Sequence, residues 1–185
     1  MDEMKAVQSL IEAMESLSVD YLVVGSLASS HYGLNRSTED ADLLIRATPE
    51  QIAQLRARTT PPWQWAPQTA FDPVTGKTRH LLHLGNSTFK AELFELEENP
   101  FDLSRMSRKL LRTAGGRKRF VQSPEDVIVQ KLRWYKALKR RKDLDDLHQV
   151  ILAQNDRLDW DYIHKWTERL GLANTLKQVS ELMPE

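Results

Sequence analysis

Val23-Val24-Gly25-Ser26, followed by Arg36-Ser37-Thr38-Glu39-Asp40-Ala41-Asp42-Leu43-Leu44-Ile45, is the stretch on which the fold turns. Tyr21-Leu22-Val23-Val24 is a short apolar, β-prone run, as in a buried strand. Gly25-Ser26 breaks it, and Leu27 to Tyr32 reads as a short helix stopped by Gly33. A strand that turns at Gly-Ser into a helix presents unpaired backbone N–H groups, a hydroxyl and a positive helix end at one point, which suits phosphate. Glycine there lets a ligand approach the backbone closely. Asp40 and Asp42 stand two apart at the start of a second strand, so their carboxylates share a face. Two acids over an anion cradle repel each other unless a cation lies between them, and hard oxygen donors favour Mg2+ or Mn2+. A third acid is wanted on a neighbouring strand. Lys90-Ala91-Glu92-Leu93-Phe94-Glu95 offers Glu92 and Glu95 on opposite faces, and Glu92 is preferred because apolar residues follow it as they follow Asp42.

Outward from this stretch, residues 2–17 have the apolar spacing of an amphipathic helix (Met4, Val7, Leu10, Ile11, Met14, Leu17). Thr48-Pro49-Glu50 opens another helix. Residues 59–78 are irregular and proline-rich, with Trp63 and Trp65 suited to an edge strand. Strands are expected over Arg79 to Leu84 and Phe89 to Leu96, joined by Gly85-Asn86-Ser87. Residues 97–122 read as a basic connector. Ser123-Pro124-Glu125-Asp126 caps a helix reaching about residue 140, and helices follow over 142–152, 159–170 and 172–182. The order predicts an α/β (α+β) fold: a small mixed sheet flanked by helices over residues 1–122, carrying a C-terminal helical module over 123–185.

The 185 residues, 41% hydrophobic and 28% charged, suit a soluble globular chain, and the absence of cysteine excludes thiol nucleophiles and zinc-thiolate sites. No apolar run approaches the ~18 residues of a membrane span, and Met1-Asp2-Glu3 lacks a basic secretory start, so a cytoplasmic protein with no membrane partner is expected. The net charge is zero, yet residues 101–145 hold 14 Lys/Arg against 5 Asp/Glu, which points to an anionic partner. Within that segment Arg133, Lys136, Lys139, Arg140, Arg141 and Lys142, with Trp134 and Tyr135, form a basic-aromatic run that fits an RNA surface or a solvated helix end. The five histidines show no metal-ligand spacing.

Gly25-Ser26, Tyr32-Gly33, Arg36, Thr38, Asp40 and Asp42 together resemble the signature of the minimal nucleotidyltransferase superfamily, the DNA polymerase β-like fold. Ser123 to Leu132 and Arg141-Lys142-Asp143-Leu144-Asp145-Asp146-Leu147 are similar to the helical segment of AbiEii-like and related small bacterial nucleotidyltransferases, which include toxin–antitoxin components. The resemblance covers about residues 20–152. It implies a nucleotidyltransferase that moves a nucleoside monophosphate from a nucleoside triphosphate to an RNA 3′ end or a protein hydroxyl, releasing pyrophosphate. Gly25, Ser26, Arg36 and Thr38 would contact the nucleotide. Asp40, Asp42 and Glu92 would hold Mg2+ (or Mn2+), with Glu92 also able to draw the acceptor proton. Lys131 would neutralise phosphate charge, and Asp143 and Asp146 would orient it or complete the nucleotide site. Glu92 departs from the aspartate common in the family, and Lys142 interrupts the Arg-Asp adjacency. Two other functions fit the same chain: an inactive binding module, such as an antitoxin or regulatory partner, and an RNA-binding protein acting through its basic segment.

Overall fold

The computed structural model describes residues 2–33 and 38–182. In chain order the elements are α1 (Glu3–Ser16), β1 (Asp20–Val23), α2 (Gly25–Ser29), β2 (Asp40–Arg46), α3 (Pro49–Thr59), β3 (Trp63–Trp65), β4 (Ala70–Asp72), β5 (Lys77–Leu84), β6 (Lys90–Glu95) and α4 (Pro100–Ser107). They continue with β7 (Leu110–Ala114), β8 (Arg117–Val121), α5 (Pro124–Leu138), α6 (Arg141–Gln154), α7 (Trp160–Arg169) and α8 (Ala173–Glu181). Among the described residues, the eight strands form one mixed sheet in the order β3-β5-β6-β2-β1-β8-β7, with β4 also paired to β5. The pairs β2/β6 and β1/β8 are parallel and the rest antiparallel.

Period-two alternation divides the residues of β2. Ala41, Leu43 and Ile45 join the main core with Val7, Leu10, Ile11 and Met14 of α1 and Leu55 of α3. Asp40, Asp42 and Leu44 take the other face. There Leu44 packs with Leu22, Val24, Phe94 and Met106 in a second, smaller apolar cluster beneath α4. Beyond that cluster the face belongs to the acids. Capping fixes the helices as composition suggests: Thr48 and Gln51 make a capping box on α3, and the Ser123 hydroxyl accepts from the Asp126 N–H at the start of α5. Val127, Ile128 and Leu132 anchor α5 in the main core.

Three local expectations are revised. The helix after β1 starts at Gly25 itself and ends at Ser29, so no spacer separates the turn from the helix. The expected basic connector over 97–122 is structured. Asn99 caps α4 from its side chain, and Gly115-Gly116 turns the β7–β8 hairpin with positive φ at both glycines, as a tight two-residue turn requires. Arg112, Arg117 and Lys118 are exposed on the hairpin, whereas Arg119 is buried and donates to the Ala114 carbonyl, so the cations of this segment belong to an ordered element. Finally, β4 emerges from the proline-rich stretch and pairs with the first residues of β5. No helix among the described residues is long and apolar enough to cross a membrane.

Candidate active site

The β1–α2 turn and the start of β2 interlock. Gly25 has a φ of +61°, and a Cβ placed on it would lie 2.0 Å from Asp42 Oδ2 and 2.8 Å from Asp42 Cγ. Only glycine therefore fits over the Asp42 carboxylate, both for space and for backbone conformation. Asp40 lies two residues earlier on the same face, and the Thr38 hydroxyl donates to its Oδ1 at 2.8 Å. Across the parallel β2/β6 pair Asp42 stands opposite Glu92, and Asp40 opposite Lys90. Burial, then the charges of Asp40 and Glu92, push the Asp42 carboxyl up to about 7.

Glu92 and Glu95 are separated by the pleat. Glu92 is 4% exposed and turned to the cavity, whereas Glu95 is exposed on the other face, where it meets His80 Nε2 at 2.8 Å. Glu92 does not face Asp40 and Asp42 unaccompanied: Lys90 donates to its Oε1 and Arg79 to its Oε2. Among the described residues, no three His, Asp or Glu side chains stand at metal-holding geometry. As placed, Asp40 and Asp42 share one strand face, and Glu92 stands opposite Asp42 with Lys90 and Arg79 on its carboxylate. This pair suits a divalent cation in the way Mg2+ is commonly held, by one or two carboxylates together with substrate phosphate oxygens.

A cavity of about 410 Å3 opens over these residues. Gly25, Ser26, Asp40, Asp42 and Glu92 line it, as does Lys131 from α5. Lys131 is 6% exposed and pairs with Asp143 at 3.2 Å and Asp146 at 2.6 Å, so α6 holds its ammonium at the cavity wall. Asp143 reaches that wall and also takes Arg140 at 2.7 Å. Asp146 stands behind Lys131 and meets its ammonium at 2.6 Å, the orienting arrangement expected of it beside a nucleotide contact. Thr38 is off the wall and orients Asp40. Arg36 lies outside the described residues. The basic-aromatic run divides: Arg140 and Lys142 line the cavity with Trp134, while Lys136 donates to the Gly171 carbonyl and Arg141 pairs with Asp145.

The sequence did not reveal Arg79, Lys90, Lys77 and Arg105 as site residues. Lys90 carried a usable signal, since it shares its strand face with Glu92. Arg79 and Lys77 depend on the β5/β6 register, and Arg105 on α4.

A family model described as "Nucleotidyltransferase of unknown function (DUF6036)" matches residues 2–180. The chain belongs to this nucleotidyltransferase family. Three solved structures that the chain resembles align along nearly all of its length. ANT(2″)-Ia in complex with adenylyl-2″-tobramycin aligns with TM-score 0.66 at 12% identity, over 92% of this chain and 99% of that one. JHP933 from Helicobacter pylori gives 0.60 at 17%, over 97% and 73%. An antigenic nucleotidyltransferase-like protein from Paracoccidioides brasiliensis gives 0.56 at 21%, over 93% and 91%. At these identities the likeness concerns the fold. No curated protein matches the chain.

Proposed function

We propose that this DUF6036 nucleotidyltransferase binds a nucleoside triphosphate over the Gly25-Ser26 turn and transfers its nucleoside monophosphate to an acceptor hydroxyl, with Asp40 and Asp42 holding Mg2+ (or Mn2+). The observation that carries this reading is the interlock of Gly25 with the Asp42 carboxylate, which sets the turn, Ser26 and two acids of one strand face side by side on one cavity wall. A divalent cation bound there would supply charge neutralisation at the transferring phosphoryl group.

The chain's own residues supply the rest. Ser26 and the turn hold phosphate oxygens. Lys131, fixed by Asp143 and Asp146, adds a cation whose position costs little reorganisation during reaction. In the transfer, the acceptor oxygen bonds to the α-phosphorus as the bond to the bridging oxygen of pyrophosphate breaks, and the acceptor proton passes to a carboxylate of the site. Glu92 suits that step once substrate phosphates draw Arg79 and Lys90 from it. Such catalysis rests on positioning and electrostatics and needs no nucleophilic side chain. In this reading residues 1–122 carry the acids and the turn, and the helices of 123–185 bring Lys131 and Arg140 over them.

The test uses nucleoside triphosphates labelled at the α-phosphate, incubated with total RNA and with total protein, for wild type and Asp40→Asn/Asp42→Asn. Wild type should leave covalent label on one acceptor pool and release pyrophosphate, and the double variant should leave none. Labelling that persists in the double variant would overturn the assignment. Nucleotide binding with no transfer to either pool would favour a binding module.

A further inference from the structure

One wall of the cavity is a single face of α5. At 3.6 residues per turn, Gln130, Lys131, Trp134 and Leu138 fall within an arc of about 100°, and all four line the cavity. Lys131 marks the phosphate end of this face: its charge acts on the Asp42 carboxyl, and Asp143 and Asp146 hold it at the wall. Trp134 stands one turn further along, a neighbour of both Gln130 and Lys131 by the three- and four-residue helical spacing. Leu138 follows, about 10 Å beyond Lys131 at 1.5 Å per residue.

Three side chains of this face serve neither the acid pair nor the phosphate turn. Trp134 is half-buried, with the Arg140 guanidinium 4.9 Å from its ring centroid and Asp143 holding that guanidinium at 2.7 Å, so the indole is braced from outside the cavity it lines. Leu138 is 47% exposed beside it, and neither residue joins the two apolar clusters of the core. Gln130 is 7% exposed, yet among the described residues its Oε1 meets no hydrogen-bond donor. A buried carboxamide oxygen left unpaired costs free energy that a ligand N–H would recover. The charges nearby are matched, with Asp143 and Asp146 facing Lys131 and Arg140, so an uncharged ligand group suits this place.

We infer that Trp134 and Leu138 form the stacking platform for the donor's nucleobase and that Gln130 reads the edge of that base, its Oε1 accepting an N–H. A nucleobase asks for both parts: an apolar π-face to lie against and a polar group at its rim. The exocyclic amino and ring N–H groups of the bases supply the donor, and the Gln130 NH2 gives a second bond to an adjacent acceptor on the same edge. This rests on the donor assignment above, since it is Lys131 at the phosphates that sets the base one turn along α5.

The test compares the affinities of inorganic tripolyphosphate and of non-hydrolysable analogues of ATP, GTP, CTP and UTP, all in Mg2+, for wild type, Gln130→Leu and Trp134→Ala. Tripolyphosphate has no base and reports the phosphate half of the site alone. Wild type should bind its best nucleotide roughly tenfold more tightly than its worst. Trp134→Ala should weaken every nucleotide by roughly tenfold through lost stacking. Gln130→Leu should bring the four affinities within about threefold of one another. Because no hydrogen bond to Oε1 is lost, Gln130→Leu should also melt no lower than wild type. Tripolyphosphate should bind all three proteins alike. Nucleotides that bind Trp134→Ala as tightly as wild type overturn the platform, and so does tripolyphosphate that weakens in step with them, because the loss then runs through Arg140 and Lys131. A ranking of bases that survives in Gln130→Leu, or is flat in wild type, overturns the part given to Gln130. Wild type that binds neither tripolyphosphate nor any nucleotide overturns the donor assignment, and the base site with it.

Discussion

Asp42→Asn should lower nucleotidyl transfer by about a thousandfold and at the same time make the substrate-free protein more stable above neutral pH. The first effect follows from losing one of the two carboxylates that share a strand face over the turn, where charge neutralisation at a phosphoryl group is worth several kcal/mol, and about 4 kcal/mol is roughly a thousandfold in rate. The second follows from linkage. The Asp42 carboxyl moves from about 3.9 in the unfolded chain to about 7 in the folded one, chiefly through burial and then through Asp40 and Glu92. Between those values the folded state binds more protons than the unfolded, so stability falls as pH rises from about 4 to 7 and the full penalty persists above 7. Cavity water screens this partly exposed group, which leaves a penalty on the order of 2 kcal/mol, or a Tm difference of about 4–8 °C. Thermal melts at pH 4 and pH 8 check it: the variant should exceed wild type at pH 8, and the gap should close toward pH 4.

Gly25→Ala should be nearly as damaging to transfer and should also destabilise. An alanine at φ +61° costs roughly 1–2 kcal/mol. Its Cβ would also meet Asp42 at 2.0 Å, against a backbone that cannot retreat without opening the β1/β2 pair, where the Val24 N–H donates to the Asp42 carbonyl at 2.9 Å. The Asp42 side chain must swing away, so transfer should drop about a hundredfold or more. Gly85→Ala separates the two effects. Its φ is also positive, at +51°, yet nothing lies within 4 Å of the added Cβ. It should lower the melting temperature and leave transfer as it was. Equal transfer by Gly25→Ala and wild type would remove the interlock from the account.

Much of this site can be read along the chain because its acids obey local rules. Asp40 and Asp42 share a face by the two-residue strand period, and the apolar run before Gly25 ends where it must turn. Glu92 is separable from Glu95 by the same alternation once a strand is granted. The remainder is set by pairing that no local pattern encodes. Lys90 and Arg79 reach Glu92 through the β2/β6 and β5/β6 registers, and those registers depend on which strands lie side by side. Lys131 and the orienting pair Asp143 and Asp146 were assigned from the resemblance alone, since they lie on two helices that only packing brings together. The β7–β8 hairpin is hidden by its own charge: Arg117 and Lys118 are exposed strand residues, and of the three cations only Arg119 is buried. Gly115-Gly116 and the Asn99-Pro100 cap were the local signals for that region, and they describe it well once composition is set aside.

In the proposed site Asp40 and Asp42, through Mg2+, hold the donor nucleotide's phosphates against the Gly25-Ser26 turn. Titration calorimetry with a non-hydrolysable nucleoside triphosphate in Mg2+ reads this most directly, because it needs no knowledge of the acceptor. Wild type should give a saturable binding heat that disappears when Mg2+ is withheld and in Asp40→Asn/Asp42→Asn. Matching heats for wild type and the double variant would show that the two acids take no part in binding the nucleotide.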